Sequence, residues 1–240
     1  MQIFSNNRYS PAYTSRLNPI EPFKVQTAKG VLDVAEVNYN KVTKKFIKKI
    51  TEFFCENFSH DTNDPAWLNY NKLSKSEKKD FLDTFENFYG NSIRDESNQH
   101  LTMLVATDSK KNIQGACLSY GCEDVPKARY NTLYIDSLAV NKDYRGNSLA
   151  RLMLEKSIDA NRYIFTDVFL TGEKVADGFY KKLGFRDLNP DNADESKIIN
   201  HIAKQRPDYP KYTSFLTRII QESRPRWYEI CAKCKRLQKD

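Results

Sequence analysis

The chain has 240 residues, long for one small domain and short for two full ones, and carries 38 Lys/Arg against 31 Asp/Glu for a net charge of +7. No segment approaches the roughly 18 apolar residues of a membrane span, and the N-terminus lacks the apolar run of an ordinary secretory signal. Five cysteines, an odd number with no evident disulfide framework, suit a reducing compartment, so a soluble, cytoplasmic protein is expected.

Residues 1–29 hold three prolines and several Ser and Asn without a clear period, which predicts an extended N-terminal arm. Val31 to Tyr39 alternates enough for a first strand. Lys41 to Phe58 sets Val42, Phe46, Ile50, Phe53 and Phe54 on one helical stripe. A polar loop from Asp61 to Asn71, containing Trp67 and Tyr70, precedes Ser74-Lys-Ser-Glu77, a capping box that opens a second helix through Tyr89. Leu101–Thr107 and Ile113–Gly121 read as a hairpin, and Tyr130–Val140 as the next strand. A helix from Ser148 to about Asn161 turns Leu149, Leu152 and Met153 inward. Tyr163–Leu170 is a strand, Val175–Leu183 a helix, Phe185 opens a penultimate strand, and Tyr212–Ile220 is the last.

The C-terminal region is set apart by charge. From His201 to Asp240 there are ten Lys/Arg and four Asp/Glu, a net +6 out of the total of +7. This expects a basic extension, helical over 221–240, which either presents a solvated face or meets an acidic partner. Its Trp227, Tyr228, Ile230 and Leu237 can pack on the domain or on a second copy, as a homodimer would need, and its removal is expected to spare cofactor binding. Cys231-Ala-Lys-Cys234 is a lone CxxC, and His60, His100 and His201 are far apart in sequence, so no metal site is expected.

The junction at Leu133–Leu154 carries the chemistry. A strand ending in Leu138-Ala139-Val140 enters a short polar turn, then Arg145-Gly146-Asn147-Ser148-Leu149-Ala150 and an apolar helix. Such a junction points unpaired N–H groups and the positive end of a helix dipole at one place, a ready seat for a phosphate or diphosphate. The wording resembles motif A of the GNAT family of N-acetyltransferases, Arg/Gln-x-x-Gly-x-Gly/Ala, with Ser148 where the family usually has glycine. Val175-Ala-Asp-Gly-Phe-Tyr-Lys-Lys-Leu-Gly-Phe185 is similar to that family's motif B, a helix bearing a tyrosine and closed by Leu-Gly-Phe.

The resemblance is specific over Leu101 to Phe185 and implies a mixed α/β fold, with a mostly antiparallel central sheet splayed at the cofactor site and flanked by helices. It implies a GNAT domain over 30–220 with an insertion at 189–210. The implied activity is direct acetyl transfer from acetyl-CoA to a primary amine. Leu138, Ala139 and Val140 would pair with the pantetheine arm, the Leu138 N–H would meet the oxyanion, and Arg145, Gly146, Asn147, Ser148, Leu149 and Ala150 would hold the diphosphate. Tyr180 matches the tyrosine that protonates the departing thiolate. For the general base, Asp136, two residues before Leu138 and so expected on the same strand face, competes with Glu123 and Asp124. Glu173 stands where relatives often carry asparagine. The acceptor is unnamed by the sequence: a protein lysine and a small amine both stay open, as does a host-cell effector role. Ser148 and Glu173 keep a second reading open, a degenerate member that binds acyl-CoA or a protein partner without turnover.

Overall fold

The computed structural model describes residues 20–60, 73–94, 101–122, 132–161, 167–172, 176–189, 191–205 and 226–231. In chain order, β1 (Phe23–Thr27) and β2 (Gly30–Glu36) precede α1 (Lys44–His60) and α2 (Lys75–Arg94). Then come β3 (Thr102–Thr107), β4 (Ile113–Cys122), β5 (Thr132–Val140), α3 (Leu149–Asn161) and β6 (Asp167–Gly172). The short α4 (Asp177–Lys182) and β7 (Arg186–Leu188) lead to α5 (Ala193–Gln205), and β8 (Arg226–Cys231) completes the set.

The strands form one eight-stranded sheet in the order β1-β2-β3-β4-β5-β6-β8-β7. Every pairing is antiparallel except β5 with β6. The implied mixed α/β architecture with a mostly antiparallel sheet is therefore what the chain adopts.

Each sheet face carries its own core. On one side Phe46, Ile50, Phe53 and Phe54 of α1 and Phe81, Phe85 and Tyr89 of α2 pack on Met103, Val105, Leu118, Tyr120 and Tyr134. The α1 stripe is the one its sequence period predicts, and Phe54 stacks on Tyr89 at 5.0 Å. Burying a side chain such as Ile50 or Phe54 stabilises the fold by about 2–3 kcal/mol. The capping box forms as read: Glu77 N–H donates to Ser74 Oγ (3.3 Å) and Ser74 N–H donates to Glu77 Oε2 (2.8 Å).

On the other side Leu149, Met153, Leu154 and Ile158 of α3 pack on Leu104, Ala106, Cys117, Leu133 and Ile135. Gly115 of β4 is what lets α3 lie this close, since a Cβ there would stand 2.9 Å from Leu149 Cδ2 and 3.1 Å from Met153 Cε.

Two expectations are corrected, and the insertion gains an element. Residues 23–27 belong to a strand and not to an extended arm: Val25 and Thr27 are buried, and β1 pairs with β2 through Lys24–Asp33 and Val25–Leu32. The 189–210 insertion contains a 13-residue helix, α5, whose Ile199 joins the α1/α2 core. Residues 226–231, expected within a helical extension, form β8, which lies between β6 and β7. An extended Arg-Trp-Tyr-Glu-Ile-Cys segment satisfies two open strand edges at once, a demand from distant residues that outweighs local preference. The strand expected at Tyr212–Ile220 lies outside the described residues, as do Trp67, Tyr70 and the segments 1–19 and 232–240.

Candidate active site

β5 pairs with β6 only from Thr132–Asp167 to Ile135–Leu170. Beyond Ile135 the backbone of β5 continues to Val140 with β4 as its one neighbour among the described residues, while β6 continues along β8 to Gly172. The sheet thus opens into a gap beside Leu138–Val140.

The divergence begins at a bulge. Leu118 of β4 faces Ser137 of β5, yet the next residue, Ser119, faces Ile135, so Asp136 is skipped. A bulge raises local twist and resets the inward–outward alternation of the strand. Asp136 and Leu138 therefore do not share a face, contrary to the two-residue spacing argument. Leu138 packs with the α3 core. Asp136 instead accepts from Tyr120 Oη (3.4 Å) and Ser137 Oγ (2.9 Å), and Ser137 Oγ lies 3.0 Å from Tyr89 Oη of α2. Because the Ser137 proton goes to Asp136, Tyr89 is the donor to Ser137. A chain of buried hydroxyls thus orients the Asp136 carboxylate on the α1/α2 side of the gap.

The turn after β5 is built by short polar contacts. Asn141 Oδ1 caps a 3-10 turn at Lys142–Tyr144 by accepting from Asp143 N–H, and Asn141 Nδ2 donates to Gln114 Oε1. Arg145 Nε donates to the Val140 carbonyl at 2.9 Å, folding the chain back on the strand end. Asn147 Nδ2 donates to the carbonyls of Tyr144 and Arg145. From outside, Lys29 of the β1–β2 turn reaches Asp143 at 2.8 Å and sits over the Tyr144 ring. The hydrogen bond and charge of Lys29 hold the Asp143 carboxyl below the ordinary carboxylate range.

Gly146 and Ser148 both take positive φ, +76° and +57°, on either side of Asn147. Alternating backbone handedness of this kind turns successive N–H groups toward one concave point, an anion-binding nest. It runs directly into the first turn of α3, whose N–H groups have no intrahelical acceptor. Macrodipole and nest therefore act at the same place.

On the far side of the gap, α4 ends in a Schellman motif. Phe185 N–H donates to the Tyr180 carbonyl (3.1 Å) and Gly184 N–H to that of Lys181 (3.0 Å), with Gly184 at φ +92°. Tyr180 is buried and meets Phe179 and Phe185 edge to face. Its backbone and ring are fixed together.

These parts enclose a cleft of about 370 Å³ lined from four directions: Leu138–Val140 of β5, the Tyr144–Arg151 turn and helix start, Ala176, Phe179 and Tyr180 around α4, and Asn57 and Phe58 at the end of α1. Of the nine residues expected to hold a cofactor, eight line it; Asn147, its amide spent on the turn, does not. Among the described residues the lining has Arg145 and Arg151 and no carboxylate, which suits an anionic ligand. Asp136 is not part of the lining, and Glu123, Asp124 and Glu173 lie outside the described residues. Sequence reading missed Asn57, although a polar residue continuing the Phe46–Ile50–Phe53–Phe54 stripe was a signal. It is buried, with Nδ2 bonded to the Phe53 carbonyl. Burial raises the thiol pKa of Cys55, and that of Cys117 to about 12, so neither is a thiolate nucleophile at neutral pH.

The sequence profile of the acetyltransferase (GNAT) family matches residues 59–185. No curated protein matches the sequence. Among solved structures, an acetyltransferase of that family from Staphylococcus aureus Mu50 is similar at 17% identity and a TM-score of 0.47, covering 84% of this chain and 99% of its own. The PaiA N-acetyltransferase of Thermoplasma acidophilum, in complex with coenzyme A, is similar at 15% identity and a TM-score of 0.45, covering 65% of this chain and 90% of its own.

Proposed function

Since the chain belongs to the acetyltransferase (GNAT) family, we propose that it moves an acetyl group from acetyl-CoA directly to a primary amine. The observation that carries this is the arginine-bearing cleft joining the positive-φ turn, the end of β5 that pairs only with β4 among the described residues, and Tyr180.

In this reading the N–H groups of the Gly146–Ala150 turn receive the diphosphate, and the pantetheine amides pair with Leu138–Val140 as an added strand. The amine attacks the thioester carbonyl, and the Leu138 N–H steadies the oxyanion, a donor of a type worth about 3–4 kcal/mol. As the C–S bond breaks, the thiolate takes the proton of Tyr180, whose phenol class is protonated at neutral pH. Asp136, on the α1/α2 side with its hydroxyl chain, accepts the proton lost by the amine, directly or through a water.

A ligand that binds only the folded state raises stability by about 2.7 kcal/mol at a hundred times its Kd, which for a chain of this size is a thermal shift of roughly 5–10 °C. Acetyl-CoA is expected to give that shift in the wild type and none in Arg145→Glu, which sets a negative charge beside the diphosphate. Release of free thiol from acetyl-CoA across polyamines, lysine peptides and aminoglycosides then names the acceptor class. A shift with no thiol release on any amine would favour the non-catalytic acyl-CoA binder, a reading to which the strained Ser148 lends its weight.

A further inference from the structure

Asn57 sits in the last turn of α1 and lines the cleft, yet it is only 6% exposed. Burying an amide costs stability unless its polar ends are bonded. Asn57 Nδ2 donates to the Phe53 carbonyl at 2.8 Å. That bond fixes which way the amide points, because only its nitrogen end can face a carbonyl oxygen. The oxygen end is turned away from the helix. Asn57 Oδ1 accepts no hydrogen bond among the described residues. It is not sealed from solvent, and the space that Asn57 borders is the cleft. Packing tells which side of the cleft this is. Ala139 of β5 joins the core under α1 and α2, against which Phe58 also packs, whereas Leu138 and Val140 join the core under α3. Asn57 thus meets the gap from the α1/α2 side, where the hydroxyl chain holds Asp136.

We infer that Asn57 is a specificity residue for the acceptor: its Oδ1 accepts an N–H of the attacking amine and aims the nitrogen lone pair at the thioester carbonyl. This rests on the acetyl-transfer reading above, in which β5 pairs the pantetheine amides and leaves this oxygen to the second substrate. A primary amine has two N–H protons. One is held by Asn57 through the attack, and the other is the proton lost to Asp136. A secondary amine has one N–H and can fill only one of these roles. An amide oxygen is also uncharged, so it orients a neutral amine. A carboxylate in its place would favour the ammonium ion, which has no lone pair to attack with.

Thiol release from acetyl-CoA with spermidine, a lysine peptide and kanamycin tests this, the amine that the wild type uses being compared with its N-methylated form. Asn57→Leu keeps the branching of the side chain and removes its polarity. It is expected to keep the acetyl-CoA-induced thermal shift while kcat/KM for the primary amine falls about tenfold. The N-methyl amine should change less than about twofold, so the variant loses discrimination between the two. Asn57→Asp should move the acid limb of the pH–rate profile upward by about one unit, because the ammonium ion is then held. An unchanged kcat/KM in Asn57→Leu, or equal losses on both amines, would assign the amide to its own helix and overturn the inference. If Asn57→Leu does not melt cooperatively, Asn57→Asp decides, and an unmoved acid limb overturns it. Thiol release from the wild type with none of the amines would instead overturn the acetyl-transfer reading beneath it.

Discussion

At the scale of single residues, the site depends on backbone devices that hold a few side chains still. Tyr180 is held by the Schellman bonds through Gly184 and Phe185 and by edge contacts with two phenylalanines. Tyr180→Phe removes one oxygen and leaves this frame intact. Turnover with the amine found by thiol release is expected to fall about 10- to 100-fold, with acetyl-CoA affinity within twofold of wild type; equal loss in affinity with unchanged turnover would assign the ring to packing. Asp136→Asn should abolish the acid limb of the pH–rate profile if Asp136 is the base. Much of this residue layer was legible beforehand: Gly184 as a helix stop, Tyr180 on its helix, and Arg145 to Ala150 at a helix start are read from local order. The face of Asp136 was not. Parity along a strand assumes an unbroken ladder, and the skipped pairing opposite Leu118 and Ser119 is a property of two strands together. Nor does a sequence print the sign of φ at Ser148; it shows only that glycine is missing there.

At the scale of elements, α5 lies in a segment that the sequence marks only as an insertion. Asn192 Oδ1 caps its first turn by accepting from Asp194 and Glu195 N–H, and Glu195 ties that turn to the sheet by pairing with Arg186 of β7 and accepting from Asn189 N–H at 2.6 Å. The Arg186 hydrogen bond, then the Asn189 N–H, lower the Glu195 pKa below its ordinary 4.5. A carboxyl depressed in the folded state contributes stability above its unfolded pKa and loses it as pH falls through the folded value. Amide exchange in α5 is therefore expected to be slow at neutral pH and to show weakened protection, relative to the rest of the chain, below about pH 4.5. Glu195→Gln should show the weakened protection at neutral pH already, with its pH dependence gone. Equal protection in both proteins would mean that Ile199 and Ile198 hold the helix without the clamp. The capping box of α2 was visible because its two partners are three residues apart. Residues 226–231 misled because short apolar runs fit helix and strand alike, and what decides between them is the pair of open edges on β6 and β7.

At the scale of the whole molecule, β8 is the joint between two parts of the sheet. It gives β6 its second neighbour from Asp167–Cys231 to Gly172–Arg226, and it is the strand to which β7 is bonded. Deleting residues 221–240, expected from the sequence to spare cofactor binding, should lower the thermal midpoint by more than about 10 °C or remove the cooperative transition. It should also cost the acetyl-CoA-induced shift, since α4 and Tyr180 sit between β6 and β7. A truncated protein that melts and binds like the full chain would show that β8 is dispensable. Synthesis on the ribosome meets the same constraint. The β1–β4 hairpins and the helices packed on them are assembled from neighbouring segments and can form while the chain is still growing. The sheet cannot close around the β6 edge until residue 231 has emerged, so a nascent chain passes through a stage with an exposed apolar strand edge. Such an edge is a template for mispairing with other chains. The position of one strand in the sheet thus sets when, during its own translation, this protein is most in need of a chaperone.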